Sequence, residues 1–135
     1  MIPLVLKAAS GKQNSIEIFG TDYPTEDGTC IRDYIHVSDL AEAHVLSLEK
    51  VLNGEKSDFI NLGTGRGYSV LEIIEKASEI TGRNIPTIRA PRRSGDPPIL
   101  VADNHRALDE LGWHARFTGI EGIIETAWNW RKKQL

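Results

Sequence analysis

Apolar residues recur along this chain with two periods, and the switches between them predict its elements. Residues 3–10 fit a short amphipathic helix, with Pro3 in the first turn, where a missing N–H costs nothing, and Gly11 as its stop. Ile16-Glu17-Ile18-Phe19 alternates and predicts a strand. Residues 20–31 carry Gly20, Pro24 and Gly28 and predict a loop. Tyr34, Ile35 and Val37 predict a buried strand over 33–37, followed by a helix over 38–53 that Ser38 caps and Asn53-Gly54 ends. Phe59-Ile60-Asn61-Leu62 predicts a further strand. Ser69 and Glu72 have the spacing of a capping box, and Val70, Ile73, Ile74, Ala77 and Ile80 share one helical face until Gly82. Thr87-Ile88-Arg89 predicts a strand, and a proline-bounded loop runs from Pro91 to Pro98. Asp103 predicts the cap of a short helix carrying Ala107, Leu108 and Leu111, closed by Gly112. Thr118 and Glu121 predict a second capping box, opening a last helix that turns Ile120, Ile123, Ile124, Ala127 and Trp128 inward. Strands and helices alternate, so the fold class is α/β.

A chain of 135 residues fits one domain, which would bury roughly two-thirds of its unfolded surface. Hydrophobic content of 40% and charged content of 26% are those of a soluble globular protein. The net charge of −3 offers no dominant basic field and argues against nucleic acid as a partner. Arg131-Lys132-Lys133 reads as a solvated helix end that suits the helix dipole. Cys30 is the only cysteine, so an internal disulfide is excluded. The apolar opening from Met1 to Leu6 lacks a basic leader and a cleavage site and is too short to cross a bilayer. The expected location is the cytoplasm, with no membrane partner.

Gly63-Thr64-Gly65-Arg66-Gly67 follows a predicted strand and precedes a helix, as a dinucleotide-binding loop does. The G-x-G-x-x-G spacing fails, because Tyr68 stands where the last glycine belongs. The acidic residue expected about twenty positions on is also missing. A tight strand-to-helix turn is the better reading. His36, His44, His105 and His114 show no metal-ligand spacing, and no nucleophile signature occurs. Arg92-Arg93-Ser94-Gly95-Asp96 sets two cations and a carboxylate on one loop. That set suits an anion carrying a diol, and equally a solvated loop. Arg32, a fork of donors ahead of a strand, favours the first reading if it converges on the same place.

The run from Arg32 to His44 (RDYIHVSDLAEAH) and the run Ala90-Pro91-Arg92-Arg93-Ser94-Gly95-Asp96 stand in the same order, about sixty residues apart. Both resemble the extended short-chain dehydrogenase/reductase family, especially its branch of 4-epimerases for UDP-glucose and UDP-galactose. The resemblance spans essentially all 135 residues and includes the run from Ile18 to Thr29, Asn61-Leu62-Gly63-Thr64-Gly65 and Leu111-Gly112-Trp113. It implies a large Rossmann domain that binds NAD and a smaller C-terminal domain that binds the UDP-sugar. It also implies a hydride taken from the sugar C4 to NAD and returned to the other face of the 4-keto intermediate. By residue match, Glu17 and Phe19 fall where the family contacts uracil, partly through backbone groups. Arg32 and Arg93 fall on its diphosphate-binding arginines, and Asp96 on its ribose contact. Leu100 falls on a sugar-pocket position often held by tyrosine, which leaves acceptance of N-acetylated sugars open.

No Tyr-x-x-x-Lys catalytic run occurs, and the family's glycine-rich NAD loop has no counterpart. The resemblance therefore implies that residues 1–135 are the C-terminal, UDP-sugar-binding portion of an NAD-dependent epimerase, lacking the main Rossmann domain. Such a portion is expected to be inactive alone, with no catalytic, cofactor-binding or metal residues, and NAD only in the full-length parent. Whether the chain alone is an enzyme stays open on this reading. The unit at 33–53 resembles one that packs on the absent domain. Left uncovered, it implies a homo-oligomer, an exchanged dimer, or disorder around 20–53. The alternatives are a stand-alone non-catalytic nucleotide-sugar-binding module, a non-functional remnant, or part of a related dehydratase or decarboxylase.

Overall fold

A computed structural model describes residues 1–134. In chain order it contains α1 (Ile2–Ala9), β1 (Ile16–Phe19), β2 (Ile31–Asp33), α2 (Val37–Leu52) and β3 (Gly67–Ser69). Then come α3 (Val70–Thr81), β4 (Thr87–Ala90), β5 (Ile99–Leu100), α4 (His105–Leu111) and α5 (Ile120–Lys132). The α/β class holds.

The strands form two small sheets. β1 pairs in parallel with β4, setting Glu17 beside Ile88 and Phe19 beside Ala90. β2 is the middle of the other sheet, antiparallel to β3 and parallel to β5, with Arg32 beside Leu100. Parallel neighbours require a crossover rather than a hairpin, and here the crossovers carry helices. This β–α–β pairing is the construction of a Rossmann-type unit, so the expectation of a substrate portion with no share in such a fold is out of step with the topology.

The main core lies where α1, α3 and α5 cover β1. Val5, Leu6, Ile16, Ile18, Ile73, Ala77, Ile120 and Ile124 are buried there. Ser69 makes the predicted capping box: its hydroxyl accepts the Glu72 N–H at 3.0 Å, and the Glu72 carboxylate accepts the Ser69 N–H at 2.7 Å. Gly82 ends α3 in the left-handed region, as its place in the pattern predicted. A smaller core joins α2 to α4 through Ala43, Ala107, Trp113 and Ala115. Trp113 Nε1 donates to the Asp39 carbonyl at 2.9 Å, and the Asp39 carboxylate accepts the Phe117 N–H at 3.0 Å. The indole and the first turn of α2 are thereby fixed to each other.

Several local expectations change. The strand predicted at 33–37 is β2, which ends at Asp33, because its antiparallel partner β3 has only three residues. Tyr34 and Ile35 are half-buried beyond it, and Val37 is exposed. His36, not Ser38, caps α2: its Nδ1 accepts the Ser38 N–H at 3.1 Å. Within the region 20–53, residues 31–33 form β2 and 37–52 form α2, while 20–30 are the loop the pattern predicts. Phe59–Leu62 is no strand. Among the described residues it pairs with none, and the Phe59 carbonyl instead accepts from Arg106 Nη1 at 2.8 Å. Gly119 stands at the start of α5, which leaves Thr118 one residue short of a capping box. Asp103 precedes the N-cap Asn104, yet its carboxylate still accepts the His105 N–H at 3.1 Å. Among the described residues no helix is long and apolar enough to cross a membrane.

Candidate functional site

β1 and β2 belong to different sheets, and the loop from β4 to β5 spans the gap between them. This brings segments distant in sequence around one cavity of about 510 Å³. Glu17 and Phe19 come from β1, Arg32 from β2, and Arg93 and Asp96 from the loop. These are five of the six residues singled out from the sequence. Leu100 is the exception: it lies beside Arg32 in the ladder but lines an adjoining cavity of about 360 Å³, which Arg32 also borders.

The charged groups already meet. Arg32 Nη2 is bonded to the Asp96 carboxylate, and its Nη1 donates to the Ile31 carbonyl at 2.6 Å. The Arg93 guanidinium lies over the Phe19 ring, 3.9 Å from its centroid. Next to it, Arg92 lies 4.2 Å over the Tyr23 ring and donates through Nε to the Asp22 carboxylate at 2.7 Å. The 91–96 segment is therefore tied down at three points, Arg92, Arg93 and Asp96. Gly20 permits this packing, since a Cβ there would sit 2.7 Å from Arg92 Cγ.

Sequence reasoning missed several residues that line the same cavity, among them Gln13, Ser15, Cys30 and Tyr34. Polar residues just ahead of β1 were the available signal for the first two. Gln13 Nε2 donates to the Ser15 carbonyl at 2.7 Å. Burial pushes the Tyr34 hydroxyl up to about 12, with Cys30 adding to the shift and Arg32 opposing it. Tyr34 thus stays a neutral hydroxyl at physiological pH.

The glycine turn behaves differently from a cofactor loop. Asp33 accepts the Thr64 N–H at 3.0 Å and the Thr64 hydroxyl at 2.7 Å, and its other oxygen accepts the Gly65 N–H at 3.0 Å. A Cβ on Gly63 would lie 2.5 Å from the Asp33 carboxylate and from Ala102. The backbone donors that would cradle a diphosphate already hold a carboxylate of the protein, so this turn does not fit the phosphates of NAD. A second cavity, of about 710 Å³, lies between α1, α5 and residues 34–37 and is lined mainly by apolar groups such as Ile2, Leu6, Ile123 and Trp130. At its edge His36 donates from Nε2 to Thr126 Oγ1 at 2.9 Å and stacks on Phe117.

Residues 1–63 match the model of the NAD dependent epimerase/dehydratase family. The UDP-glucose 4-epimerase of Halalkalibacterium halodurans is 50% identical over 133 residues, covering 98% of this chain and 40% of that protein. A crystal structure of UDP-glucose 4-epimerase superimposes with a TM-score of 0.92 at 54% identity, covering 98% of this chain and 40% of its own. The enzyme from Stenotrophomonas maltophila, solved with bound NAD and formylated UDP-arabinopyranose, gives a TM-score of 0.90 at 43% identity, covering 98% and 39%. The chain spans about two fifths of the length of these relatives.

These likenesses correct four expectations. The chain is not set apart as a C-terminal portion, because nearly half of it matches the NAD dependent family model. The reading as a substrate-only part or non-catalytic module, inactive alone, is overturned by the same match and by the epimerases that align along the chain. The missing Tyr-x-x-x-Lys run stands as a fact of the sequence, but it no longer places the chain outside the cofactor-binding, catalytic part. The restriction of NAD to a separate parent region falls too, since a NAD-bound relative aligns over 98% of the chain. Along nearly all its length the chain is similar to UDP-glucose 4-epimerases, and over residues 1–63 to the NAD dependent epimerase/dehydratase family.

Proposed function

We propose that this chain belongs to a NAD-dependent UDP-glucose 4-epimerase, and that the cavity between β1, β2 and the 91–98 loop holds the UDP part of the nucleotide sugar. The observation that carries the reading is the convergence of Phe19, Arg32, Arg93 and Asp96 on one cavity of about 510 Å³. That volume is in the range of small-molecule sites. Each group suits one part of the ligand. Phe19 offers a ring face to a base, with Glu17 next to it on the strand. Arg32 and Arg93 offer guanidinium forks to a diphosphate. Asp96 accepts from a ribose diol. Leu100, at the adjoining cavity, faces the hexose end in this reading and supplies an apolar contact where a tyrosine would add a hydroxyl.

NAD is part of the proposal because a relative solved with NAD aligns along the chain, although the glycine turn, whose donors hold Asp33, does not cradle its phosphates. A homo-oligomer belongs to the same reading, supported by the exposed apolar side chains Val45, Leu48, Val51 and Leu52 on α2. So does a cytoplasmic location, which cell fractionation tests.

Calorimetric titration of the chain with UDP is the direct test. Binding that falls sharply in Arg93→Ala supports the site. No binding, or equal binding by the variant, overturns it. Interconversion of UDP-galactose and UDP-glucose with NAD is the activity this reading assigns to the protein that contains the chain.

A further inference from the structure

Beside the Arg92 anchor on Asp22 and Tyr23, two further contacts hold the 91–96 segment over the nucleotide cavity, and both of these use groups that the UDP reading assigns to ligand. Asp96 occupies Arg32, and Arg93 occupies the face of Phe19. Neither contact joins neighbours in sequence: Arg32 and Asp96 are 64 residues apart. The segment also crosses from β4 in one sheet to β5 in the other, so any movement of it changes the mouth of the cavity.

We propose that residues 91–96 form a strap latched by substitute contacts, in which protein groups stand where parts of the nucleotide will go. The Asp96 carboxylate takes the place of a phosphate on Arg32. The Arg93 guanidinium takes the place of the base on Phe19. The inference rests on the UDP reading above and adds to it the order of exchange. A diphosphate carries more negative charge than one carboxylate and offers several oxygens to a bidentate donor, so it displaces Asp96 from Arg32. Asp96 is then free to accept from the ribose hydroxyls. Arg93 moves off the ring toward the phosphates, which uncovers the Phe19 face for the base. Ligand entry thus breaks both latch contacts and replaces each with a ligand contact made by the same side chains. The part-exposed ion pair is weak enough for this exchange, because solvent competes for its partners.

The latch makes a prediction that a rigid pocket does not. Inorganic pyrophosphate can occupy Arg32 and Arg93 but has no ribose to offer Asp96, so it should loosen the Asp96 end of the strap. UDP supplies both parts and should tighten it. Amide hydrogen exchange of residues 95–96 reads the difference, with occupancy followed by calorimetry in the same samples. In the full chain, saturating pyrophosphate should speed exchange there by about two- to fivefold, the size of a part-exposed ion pair. UDP should slow it below the ligand-free rate. Asp96→Asn without ligand should match the pyrophosphate-bound wild type. Pyrophosphate that binds with exchange unchanged or slowed would overturn the latch while leaving the UDP site standing. Failure of both UDP and pyrophosphate to bind would remove the site, and the latch with it.

Discussion

The Arg93 guanidinium sits 3.9 Å from the centroid of the Phe19 ring, although the two residues lie far apart in the sequence. A cation over a ring face stabilises the ligand-free loop by about 0.5–1 kcal/mol at an exposed site. It also covers the ring face that the proposed reading gives to the base.

Removing either arginine should therefore weaken nucleotide binding. Arg93→Ala and Arg32→Ala are each expected to lower UDP affinity by ~1.5–3 kcal/mol, the range for hydrogen bonds to charged groups. Arg93→Lys should fall between wild type and alanine, because an ammonium keeps the charge but not the planar fork. Isothermal titration calorimetry checks all three, and equal affinities would reduce these arginines to surface charges.

Tyr34 should be conspicuous in alkaline solution. Its hydroxyl is pushed up to about 12, chiefly by burial. A neutral form favoured by the fold contributes stability that is complete below the unfolded-state value of about 10 and is lost as the pH rises toward 12. Thermal unfolding across that window should steepen for wild type relative to Tyr34→Phe. The phenolate absorbance of wild type should show a component titrating near 12. Parallel pH profiles for the two proteins would refute the assignment.

At acid pH the informative group is Asp27. Burial works to raise its pKa, but hydrogen bonds from the Ser69 hydroxyl, the Thr29 N–H and the Thr29 hydroxyl outweigh it and hold the carboxyl below its usual value. A carboxylate with a depressed value contributes stability above its unfolded pKa, and that contribution is lost as pH falls through the folded one. Ser69→Ala should shift acid unfolding to higher pH. It should also cost about 0.5–2 kcal/mol near neutrality, since the cap of α3 goes with it. Circular dichroism over a pH series separates the two effects.

Asp39 is the test of the smaller core. It is 1% exposed and receives the Phe117 N–H, while its own carbonyl receives the Trp113 indole. Asp39→Ala leaves a buried N–H without its acceptor and should destabilise by about 1–3 kcal/mol. Urea unfolding followed by tryptophan fluorescence measures it, and a change within about 0.5 kcal/mol would mean that the site is wetter than its burial implies.

Gly67 should reject even a methyl group. A Cβ there would run into Ile31 Cγ2 and lie 2.8 Å from Val101 Cγ2. Gly67→Ala is expected to part β2 from β3 at a cost of about 1–3 kcal/mol. Loss of exchange protection at Val70, whose N–H donates to the Cys30 carbonyl at 3.2 Å, would show it, and wild-type protection would disprove the clash.

Elements with strong local chemistry were legible in the sequence. The Ser69–Glu72 box, the glycine stops at 82 and 112 and the inward face of α5 all depend on neighbours within a turn or two. What failed depended on distant partners. Whether Phe59–Leu62 becomes a strand is settled by whether another strand lies alongside, and Arg106 reaches its backbone instead. β3 and β5 are three and two residues long, too short for a periodic signal, and exist because β2 lies between them. His36 displaced Ser38 as the cap of α2 because its imidazole is held by Phe117 and Thr126, both far along the chain. The candidate site was legible through resemblance to a family and not through spacing. Five residues from three segments meet only after β1 and β4, then β2 and β5, have paired.

Those parallel pairings also set a schedule. Ile16 must find Thr87 and Ile31 must find Ile99 before the cavity has walls. Contacts so far apart in sequence form late, after the loop-closure cost has been met. During synthesis, residues 1–90 can emerge without any enclosed site, since Arg93 and Asp96 have yet to follow. A nucleotide that binds only the finished arrangement draws the last assembly step forward by mass action. On the proposed nucleotide reading, the amount of correctly assembled protein would then respond to nucleotide concentration, so that supply of the ligand would act on the making of this molecule as well as on its work.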